Sequence, residues 1–432
     1  MSVIRQLPLQ HLKVLDFTSL LPGPYATQML SDLGSSVLRV ESPHRVDLAK
    51  ITPPFVREGV SAIHAQLNRD KRAIALDLKS ANGRGAVVEL IRDHGYDVLV
   101  EGFRPGVMSK LGLGFEDLRQ ENPDLIYVSI TGYGQQGPYS QRAGHDINYL
   151  ALSGLASYGQ AEPSLHATQI ADIAGGSHHG VIGLLAAVVQ RQAVIADRNN
   201  RNKDRDGDNG DRGGIGKMVV GLEDGAGTHV DVSMAAAAFG LNCMGAASAL
   251  YSREAPLAGE GVLTGGIETY GYYETSDGRW MSVGALEPQF AVSFFTAIER
   301  PELVQKLAGA MRTSRDSKGD DGDGDDDRDS LRSEVAAVLR GKTQEQWIEV
   351  FRDLDCCVEP VLDVLEASRH PAFGDMITEV PLREAGTESV SQLSMASIKF
   401  SGREQREHKF VGVTTGAHTE EVLRDTLGRS NE

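Results

Sequence analysis

The chain has 432 residues, of which 41% are hydrophobic and 24% are charged. The length exceeds that of one small domain, and the composition is that of an ordinary globular protein, which argues against wholesale disorder and against a membrane protein. The net charge of -17 argues against nucleic acid and anionic membranes as partners, since both bind clustered cationic side chains.

Cysteine content and hydropathy indicate the compartment. Cys243, Cys356 and Cys357 form no CxxC pair and have no metal-site spacing, so we expect a reducing, intracellular environment, with cytoplasm, peroxisome and mitochondrion not distinguished. Residues 1–12 lack the apolar stretch of a secretory signal. The apolar stretch 234–250 is short for a bilayer and rich in Ala and Gly, so we expect a buried helix and no membrane span.

Short β-branched runs alternate with helical segments between residue 12 and about residue 189. The predicted strands are 13–17, 36–40, 73–76, 98–100 and 125–130, and the predicted helices include 24–33, 83–93 and 115–121. This alternation predicts a mostly parallel sheet covered by helices. We therefore expect an α/β fold with a Rossmann-like large domain over residues 1–196.

Two polar stretches interrupt the rest of the chain. Residues 197–214 and 315–330 are dominated by Asp, Arg, Asn and Gly, which predicts disordered insertions. Between them, 228–252 resembles a strand followed by an Ala-rich helix, and 269–283 resembles a β-hairpin. We expect a smaller α+β domain over 228–312, with 331–432 forming helices and a C-terminal segment that returns to the large domain.

Three motifs fail on inspection. Gly132 to Gly137 fits the dinucleotide pattern GxGxxG, but Pro138 and a polar turn follow it where the motif requires a long helix. Gly175 to His179 misses the GxSxG elbow of serine hydrolases at its last residue. Asp321 to Asp325 resembles the start of a calcium loop, but Asp326 and Arg332 stand where Gly and Glu are required.

Two aspartates stand at boundaries between loop and helix. Asp146 precedes the apolar pattern 149–152, and Asp172 precedes the apolar run 181–189. The simplest interpretation makes each aspartate a helix N-cap, with His145 merely preceding the first helix.

Six segments, taken in order, change that interpretation. They resemble the family III CoA-transferase superfamily and, within it, the alpha-methylacyl-CoA racemases: Leu21–Ala26, Leu76–Lys79, Glu101–Val107, Gly144–Tyr149, Ala171–Gly176 and Gly284–Phe290. The resemblance extends from about residue 10 to Leu423 and omits the two insertions.

The resemblance implies roles for four residues. Transferases of the superfamily carry a nucleophilic aspartate that matches Asp172, and the racemases add a histidine that matches His145. An aspartate and a glutamate that orient this pair match Asp146 and Glu287. The implied reaction interconverts (2R)- and (2S)-2-methylacyl-CoA thioesters, while a CoA-transferase with Asp172 as nucleophile and a non-catalytic acyl-CoA-binding protein remain alternatives.

The chemistry of a thioester suits such a pair of side chains. Its α-proton is weakly acidic, so its removal needs a base against the C–H bond and hydrogen-bond donors for the enolate oxygen. A second group, already protonated, must return the proton on the other face. If Asp172 begins a helix, backbone N–H groups there would lie near the enolate oxygen.

The resemblance also implies a CoA site and an assembly. The implied CoA-binding residues are Leu76, Asp77, Leu78, Lys79, Arg104, Gly144, His145, Asp146, Ile147, Asn148 and Tyr149, and nearby Lys71 and Arg72 would add positive charge for the phosphates. No metal and no cofactor beyond the CoA of the substrate is implied. An interlaced homodimer is implied, in which Glu287 acts within its own subunit or across the boundary.

Two features depart from the racemase pattern. Ser42 stands where we expect an arginine near the CoA adenine, and His145 and Asp172 are 27 residues apart, a few fewer than expected. A shortened loop would reshape the acyl pocket, so the acyl group stays open among branched fatty acids, bile-acid intermediates and peptide-like acyl groups.

Overall fold

The computed structural model describes residues 7–159, 163–205, 225–316, 323–394, 397–401 and 406–429. The chain divides into two compact units. The first comprises Met1–Ser153, His166–Asn242 and Pro371–Glu432, and the second comprises Gly154–Leu165 and Cys243–His370. Both units are therefore built from segments that are distant in sequence.

Thirteen strands occur in the described residues. In chain order they are β1 Lys13–Phe17, β2 Ser36–Glu41, β3 Phe55–Arg57, β4 Val60–Ser61, β5 Arg72–Ala75, β6 Val98–Glu101, β7 Ile126–Thr131, β8 Thr228–Ser233, β9 Tyr270–Glu274, β10 Trp280–Gly284, β11 Val358–Pro360, β12 Ile377–Pro381 and β13 Ser389–Leu393. The five strands predicted between residues 13 and 130 are all present, within one residue at each end.

Helices separate most of these strands. They are α1 Pro22–Asp32, α2 Leu48–Ile51, α3 Ala62–Leu67, α4 Ala81–Asp93, α5 Val107–Lys110, α6 Phe115–Glu121, α7 Asp146–Leu152, α8 His179–Arg205, α9 Met234–Leu241, α10 Cys243–Ser252, α11 Pro288–Ala297, α12 Leu303–Asp316, α13 Asp323–Leu339, α14 Gln344–Phe351, α15 Val364–Arg369 and α16 Thr419–Glu421. A π-helical segment, Ala171–His178, leads directly into α8, and shorter helical turns lie at Pro371–Met376 and Val422–Thr426.

A six-stranded parallel sheet forms the centre of the first unit. Its order is β5-β2-β1-β6-β7-β8, and every neighbouring pair is parallel. The predicted α/β fold is therefore present. β8 was expected to begin the smaller domain, but it pairs with β7 along its whole length and completes this sheet.

The C-terminal segment covers the outer edge of this sheet. The N–H of Ala73 in the edge strand β5 donates to Nδ1 of His418 at 3.1 Å, and the N–H of Ala75 donates to the hydroxyl of Thr419 at 3.0 Å. An uncovered edge would present unpaired donors and acceptors to other chains. The end of the chain therefore contributes to the first unit.

The second unit is an α+β arrangement. The predicted hairpin is present as β9 and β10, which pair antiparallel, and β11 pairs with the other side of β10. Helices pack on this small sheet through a core that includes Phe294, Phe295 and the fully buried Trp347. The Trp347 indole N–H donates to the carbonyl oxygen of Leu339 at 2.7 Å, so its one polar group is satisfied.

The described parts of the two predicted insertions are helical. Residues 197–205 lie in α8, residues 315–316 end α12, and 323–330 lie in α13. The remainder, 206–214 and 317–322, lies outside the described residues, as do the first two residues of the calcium-like sequence, 321 and 322. The composition therefore predicted disorder at residues that the structure describes as helical.

Several helices expose apolar side chains. Residues 234–250 were expected to form one buried helix, but they form α9 and α10, which break at Asn242, and α10 buries none of its side chains. Among the described helices, Ala171–Asn199 is long and apolar enough to cross a membrane by length and composition alone, with 39% of its most apolar window buried. It packs against β7 and β8, which makes it a covering helix of the sheet.

Candidate active site

A cavity opens at the carboxyl edge of the parallel sheet. β1 lies between β2 and β6, so the chain leaves β1 towards one side of the sheet and leaves β6 towards the other, and a crevice remains between the two loops. Residues 18–20, 102–105 and 130–132 from the loops after β1, β6 and β7 line this crevice, together with 142–145. Its volume is about 310 Å³.

His145 lies at the start of α7, on the wall of this cavity. It is the N-cap residue of the helix in an extended conformation, and its backbone N–H donates to Oδ1 of Asn148 at 3.0 Å. Its imidazole is exposed and borders the cavity. The helix therefore fixes the backbone of His145 and leaves the ring facing the space in which a substrate would bind.

Asp172 lies on the same cavity, in the first turn of the π-helical segment. Its side chain is half-buried. Burial and, after it, the nearby Asp146 carboxylate raise the pKa of Asp172 to about 6, while His145 opposes both effects. At pH 7 roughly one Asp172 in ten would be protonated, so both protonation states are accessible.

Asp146 links α7 to the π-helical segment that carries Asp172. One oxygen of its carboxylate, Oδ1, accepts the backbone N–H of Ala171 at 2.7 Å and that of Asp172 at 3.1 Å. Asp146 therefore caps the helix that carries Asp172, although it belongs to the first turn of α7. The simplest interpretation of the sequence, in which Asp146 and Asp172 each cap their own helix, is wrong in both places.

The same hydrogen bonds correct an expectation about the enolate oxygen. The backbone N–H groups at the start of the Asp172 helix were expected to lie near that oxygen. Those of Ala171 and Asp172 instead donate to Asp146, and that of Ile173 donates to the carbonyl oxygen of Gln169 at 2.9 Å. These three groups are occupied before any substrate binds.

Tyr149 forms a rigid wall of the cavity. It is 4% exposed, and its hydroxyl donates to the carbonyl oxygen of Gly144 at 2.7 Å. A Cβ atom at Gly132 or at Gly144 would lie 2.5 or 2.7 Å from the Tyr149 side chain, which explains why both positions lack a side chain. Burial raises the pKa of Tyr149, which therefore keeps its proton.

The predicted CoA-binding residues fall into two groups. Arg104, Gly144, His145 and Tyr149 line the cavity. Leu76 to Lys79 follow β5 at the edge of the sheet and do not line the cavity. Asp146, Ile147 and Asn148 form the first turn of α7 and do not line the cavity either. The cavity thus brings together the residues of two sequence motifs that are about 40 positions apart.

One cation near the predicted CoA motif was assigned wrongly from the sequence. Lys71 was expected to meet CoA phosphates, but it is fully buried and its ammonium group donates to the carbonyl oxygen of Pro24 and the hydroxyl of Thr27, both at 2.7 Å. Asp16 lies 3.5 Å from it, and burial lowers the pKa of Lys71 to about 7. Arg72 is half-buried and forms an ion pair with Glu421 at 2.8 Å.

Glu287 lies in the second unit, where it is exposed at the N-terminus of α11. Its negative charge raises the pKa of the neighbouring Cys357 thiol, after the effect of burial. Its role in orienting the catalytic pair stays a prediction.

Several cavity residues were missed in the sequence. Thr18 follows β1, Met234 begins α9, and Arg142 stands three residues before His145. Leu21–Ala26 was matched as a motif but given no role, although Pro22 and Gly23 line the cavity. The signal that could have found the first of these is topological, because loops after neighbouring parallel strands meet at one edge. Within the described residues, no group of three His, Cys, Asp or Glu side chains could hold a metal ion.

Comparison with known proteins agrees with this arrangement. The model of CoA-transferase family III matches residues 9–194 and 215–419. Human alpha-methylacyl-CoA racemase is 32% identical, over 98% of this chain and 94% of the racemase, and human succinyl-CoA:glutarate CoA-transferase is 28% identical, over 97% and 86%. A crystal structure of a CaiB/BaiF family protein from Brucella suis superposes with a TM-score of 0.73 at 25% identity, over 98% of this chain and all of that one. The chain belongs to CoA-transferase family III.

Proposed function

We propose that the protein is an isomerase that interconverts (2R)- and (2S)-2-methylacyl-CoA thioesters, with His145 and Asp172 as its two proton-transferring groups. The observation that carries the proposal is that both side chains line one cavity, where His145 lowers the pKa of Asp172 against the effect of burial. The similarity to human alpha-methylacyl-CoA racemase supports the same assignment.

The reaction is a 1,1-proton transfer. In one direction, ionised Asp172 removes the proton from C2, and the electrons of the C–H bond form an enolate with the thioester carbonyl. Protonated His145 then returns a proton to the opposite face of C2, and the carbonyl re-forms. In the other direction, neutral His145 is the base and protonated Asp172 is the acid. Exchange with solvent restores the starting protonation state after each turnover.

The raised pKa of Asp172 matters for this cycle. A carboxyl group with its ordinary pKa would almost never be protonated at neutral pH and could not serve as the acid. Burial and the Asp146 charge bring its pKa to about 6, which makes it competent in both directions. We assign Asp146 as the residue that positions the Asp172 helix, and Glu287 as a further orienting residue. The thioester carbonyl itself accepts the electrons, so the proposal requires no metal and no separate cofactor.

The apolar surface of the first unit supports a homodimer. Ile147 and Leu152 on α7 are 54% and 56% exposed, and Ile182 and Val189 on α8 are 63% and 66% exposed. A surface patch formed by such side chains would mark an area that a partner covers. We propose that a second copy of the chain covers them, and light scattering after size-exclusion chromatography should give twice the mass of one chain.

The alternative is CoA transfer with Asp172 as the nucleophile. The similarity to human succinyl-CoA:glutarate CoA-transferase over nearly the whole chain favours it. In that reaction Asp172 would attack the thioester carbonyl and expel CoA, and His145 would have no required role. The two functions therefore differ in their dependence on the histidine.

The test incubates pure (2R)- and (2S)-2-methylacyl-CoA with the protein in deuterated water. Deuterium should enter C2 from both epimers, and each epimer should convert to the other. His145→Gln and Asp172→Asn should each abolish interconversion of the epimers, and each should abolish deuterium entry from the epimer whose base it removes. His11→Gln and Asp93→Asn, which replace exposed residues outside the cavity, should exchange at the wild-type rate.

A parallel reaction with an isotope-labelled free carboxylic acid distinguishes transfer. If the label enters the thioester in His145→Gln but not in Asp172→Asn, the protein is a transferase. Wild-type protein that exchanges no deuterium at C2 would overturn the racemase proposal.

A further inference from the structure

Two arginines line the cavity without an anionic partner. Arg104 follows β6, and Arg142 lies in the loop before α7. Both are exposed, and neither guanidinium forms an ion pair or hydrogen bond with any residue in the described part of the chain. Arg104 belongs to a matched motif, whereas nothing in the sequence patterns assigned Arg142 a role.

A hydrogen bond holds the two loops side by side. The side-chain amide of Gln141 donates to the carbonyl oxygen of Pro105 at 3.2 Å. Gln141 directly precedes Arg142, and Pro105 directly follows Arg104, so the bond joins the backbones that carry the two arginines. Like charges on adjoining loops repel each other unless an anion lies between them.

Aromatic side chains hold Arg142 in place. Its guanidinium lies 4.5 Å from the centre of the Tyr139 ring, the distance of a cation–π contact. Tyr139 in turn packs on Tyr133, which meets Tyr149 edge to face at 5.3 Å. The stack extends from Arg142 to the buried cavity wall. Because the stack already restrains the Arg142 side chain, that side chain loses less conformational entropy on binding a ligand than an unrestrained arginine would.

We propose that Arg142 binds the diphosphate of the CoA moiety together with Arg104. Two guanidinium groups on adjoining loops of one cavity match the two adjacent negative charges of a diphosphate, and their planar donors suit phosphate oxygens. A single carboxylate on an acyl chain would neutralise only one of them. The inference rests on the proposed use of a CoA thioester and adds a binding residue that lies outside the matched motifs.

The experiment separates the phosphates from the rest of the substrate. KM and kcat are measured with a 2-methylacyl-CoA and with the same acyl group on pantetheine, which lacks all phosphates. Arg142→Gln should raise KM for the CoA thioester about tenfold and leave kcat nearly unchanged, while KM for the pantetheine thioester stays the same. Arg142→Lys should recover part of the loss. Arg119→Gln is the matched control, since Arg119 also lies over an aromatic ring, that of Phe115, but outside the cavity.

Calorimetric binding of free CoA and free pantetheine tests the same point without any reaction. Arg142→Gln should weaken CoA binding about tenfold and leave pantetheine binding unchanged, even if the wild type exchanges no deuterium. In that case the proposed function fails and the diphosphate site stands. An equal loss with both ligands, which would indicate contact with the acyl-pantetheine arm, or no loss with CoA, would overturn the inference.

Discussion

The Asp146 carboxylate accepts a hydrogen bond from the backbone N–H of Asp172, with 3.1 Å between oxygen and nitrogen. The same oxygen accepts the N–H of Ala171, so one side chain on α7 anchors the first turn of the helix that carries Asp172. The two segments that hold the proposed acid and base are therefore joined directly. Asp146 also places a negative charge near Asp172, which raises the pKa of that carboxyl group.

Asparagine and alanine at position 146 separate these two effects. Asp146→Asn keeps an oxygen that can accept both N–H groups but removes the charge, so the pKa of Asp172 should fall and the corresponding limb of the pH–rate profile should move to lower pH. Asp146→Ala also removes the cap, which should cost about 1 kcal/mol of unfolding free energy and lower kcat up to about 100-fold through misplacement of Asp172.

Deuterium exchange rates across the pH range and urea unfolding measure both variants. Asp93→Asn, at the exposed end of α4, is the control for a change of surface charge. A pH–rate profile that stays in place after Asp146→Asn would contradict the electrostatic role of Asp146.

Both epimers should show the same bell-shaped dependence of kcat/KM on pH. One epimer reacts with ionised Asp172 and protonated His145, and the other reacts with protonated Asp172 and neutral His145. These two forms hold the same number of protons, so the ratio between them does not change with pH. Activity is lost when the pair gains a second proton or loses its only one, and one limb should lie near pH 6, where Asp172 titrates.

Initial rates from pure (2R) and pure (2S) substrate at each pH check this expectation. Profiles displaced from each other on the pH axis would mean that the two directions do not share one coupled pair.

The sequence predicted the strands of the large unit well because each is a short β-branched run bounded by turn residues. The hairpin at β9 and β10 has the same kind of local signal. β8 was assigned to the wrong unit because pairing in a parallel sheet joins strands that are distant in the chain, and β7 and β8 are separated by about 100 residues. Local patterns carry no information on which sheet such a strand enters.

The residues of the proposed site likewise divide into those that sequence motifs predicted and those that only the fold reveals. His145, Asp172 and Arg104 were found through motifs. The two hydrogen bonds that Asp146 accepts from Ala171 and Asp172 could not be foreseen, since both aspartates stand where N-caps are typical. Lys71 was misplaced because its neighbours in sequence, Asp70 and Arg72, are charged and suggest a surface. Its partner Asp16 is 55 positions away in the chain, so only the fold reveals that the ion pair is internal.

Gly132→Ala should reduce activity by displacing Tyr149. The new Cβ atom would lie 2.5 Å from the Tyr149 hydroxyl, so the ring must move or the β7 loop must shift. Such overpacking costs about 1–3 kcal/mol of unfolding free energy, and the movement of the cavity wall should lower kcat at least tenfold. Thermal unfolding and the exchange assay measure the two effects.

Gly240→Ala is the matched control for this substitution. Gly240 lies in α9, a Cβ atom there meets nothing within 4 Å, and alanine is the better helix former. It should leave activity unchanged and stability equal or higher. Full activity in Gly132→Ala would show that Tyr149 does not shape the substrate site.

Lys71→Met should destabilise the protein strongly without affecting recognition of CoA. The substitution leaves the fully buried Asp16 carboxylate without its nearest ammonium group, and removal of one partner from a buried ion pair costs about 3–5 kcal/mol. Lys79→Met, at an exposed position in the same region of sequence, should change the unfolding free energy by less than about 0.5 kcal/mol.

Urea unfolding of both variants and the KM of the folded fraction for a 2-methylacyl-CoA provide the comparison. Within the described residues the Lys71 ammonium group donates only to Pro24, Thr27, Asn68 and Asp16, all inside the protein. KM should therefore be unchanged, and a tenfold rise would indicate that Lys71 binds CoA.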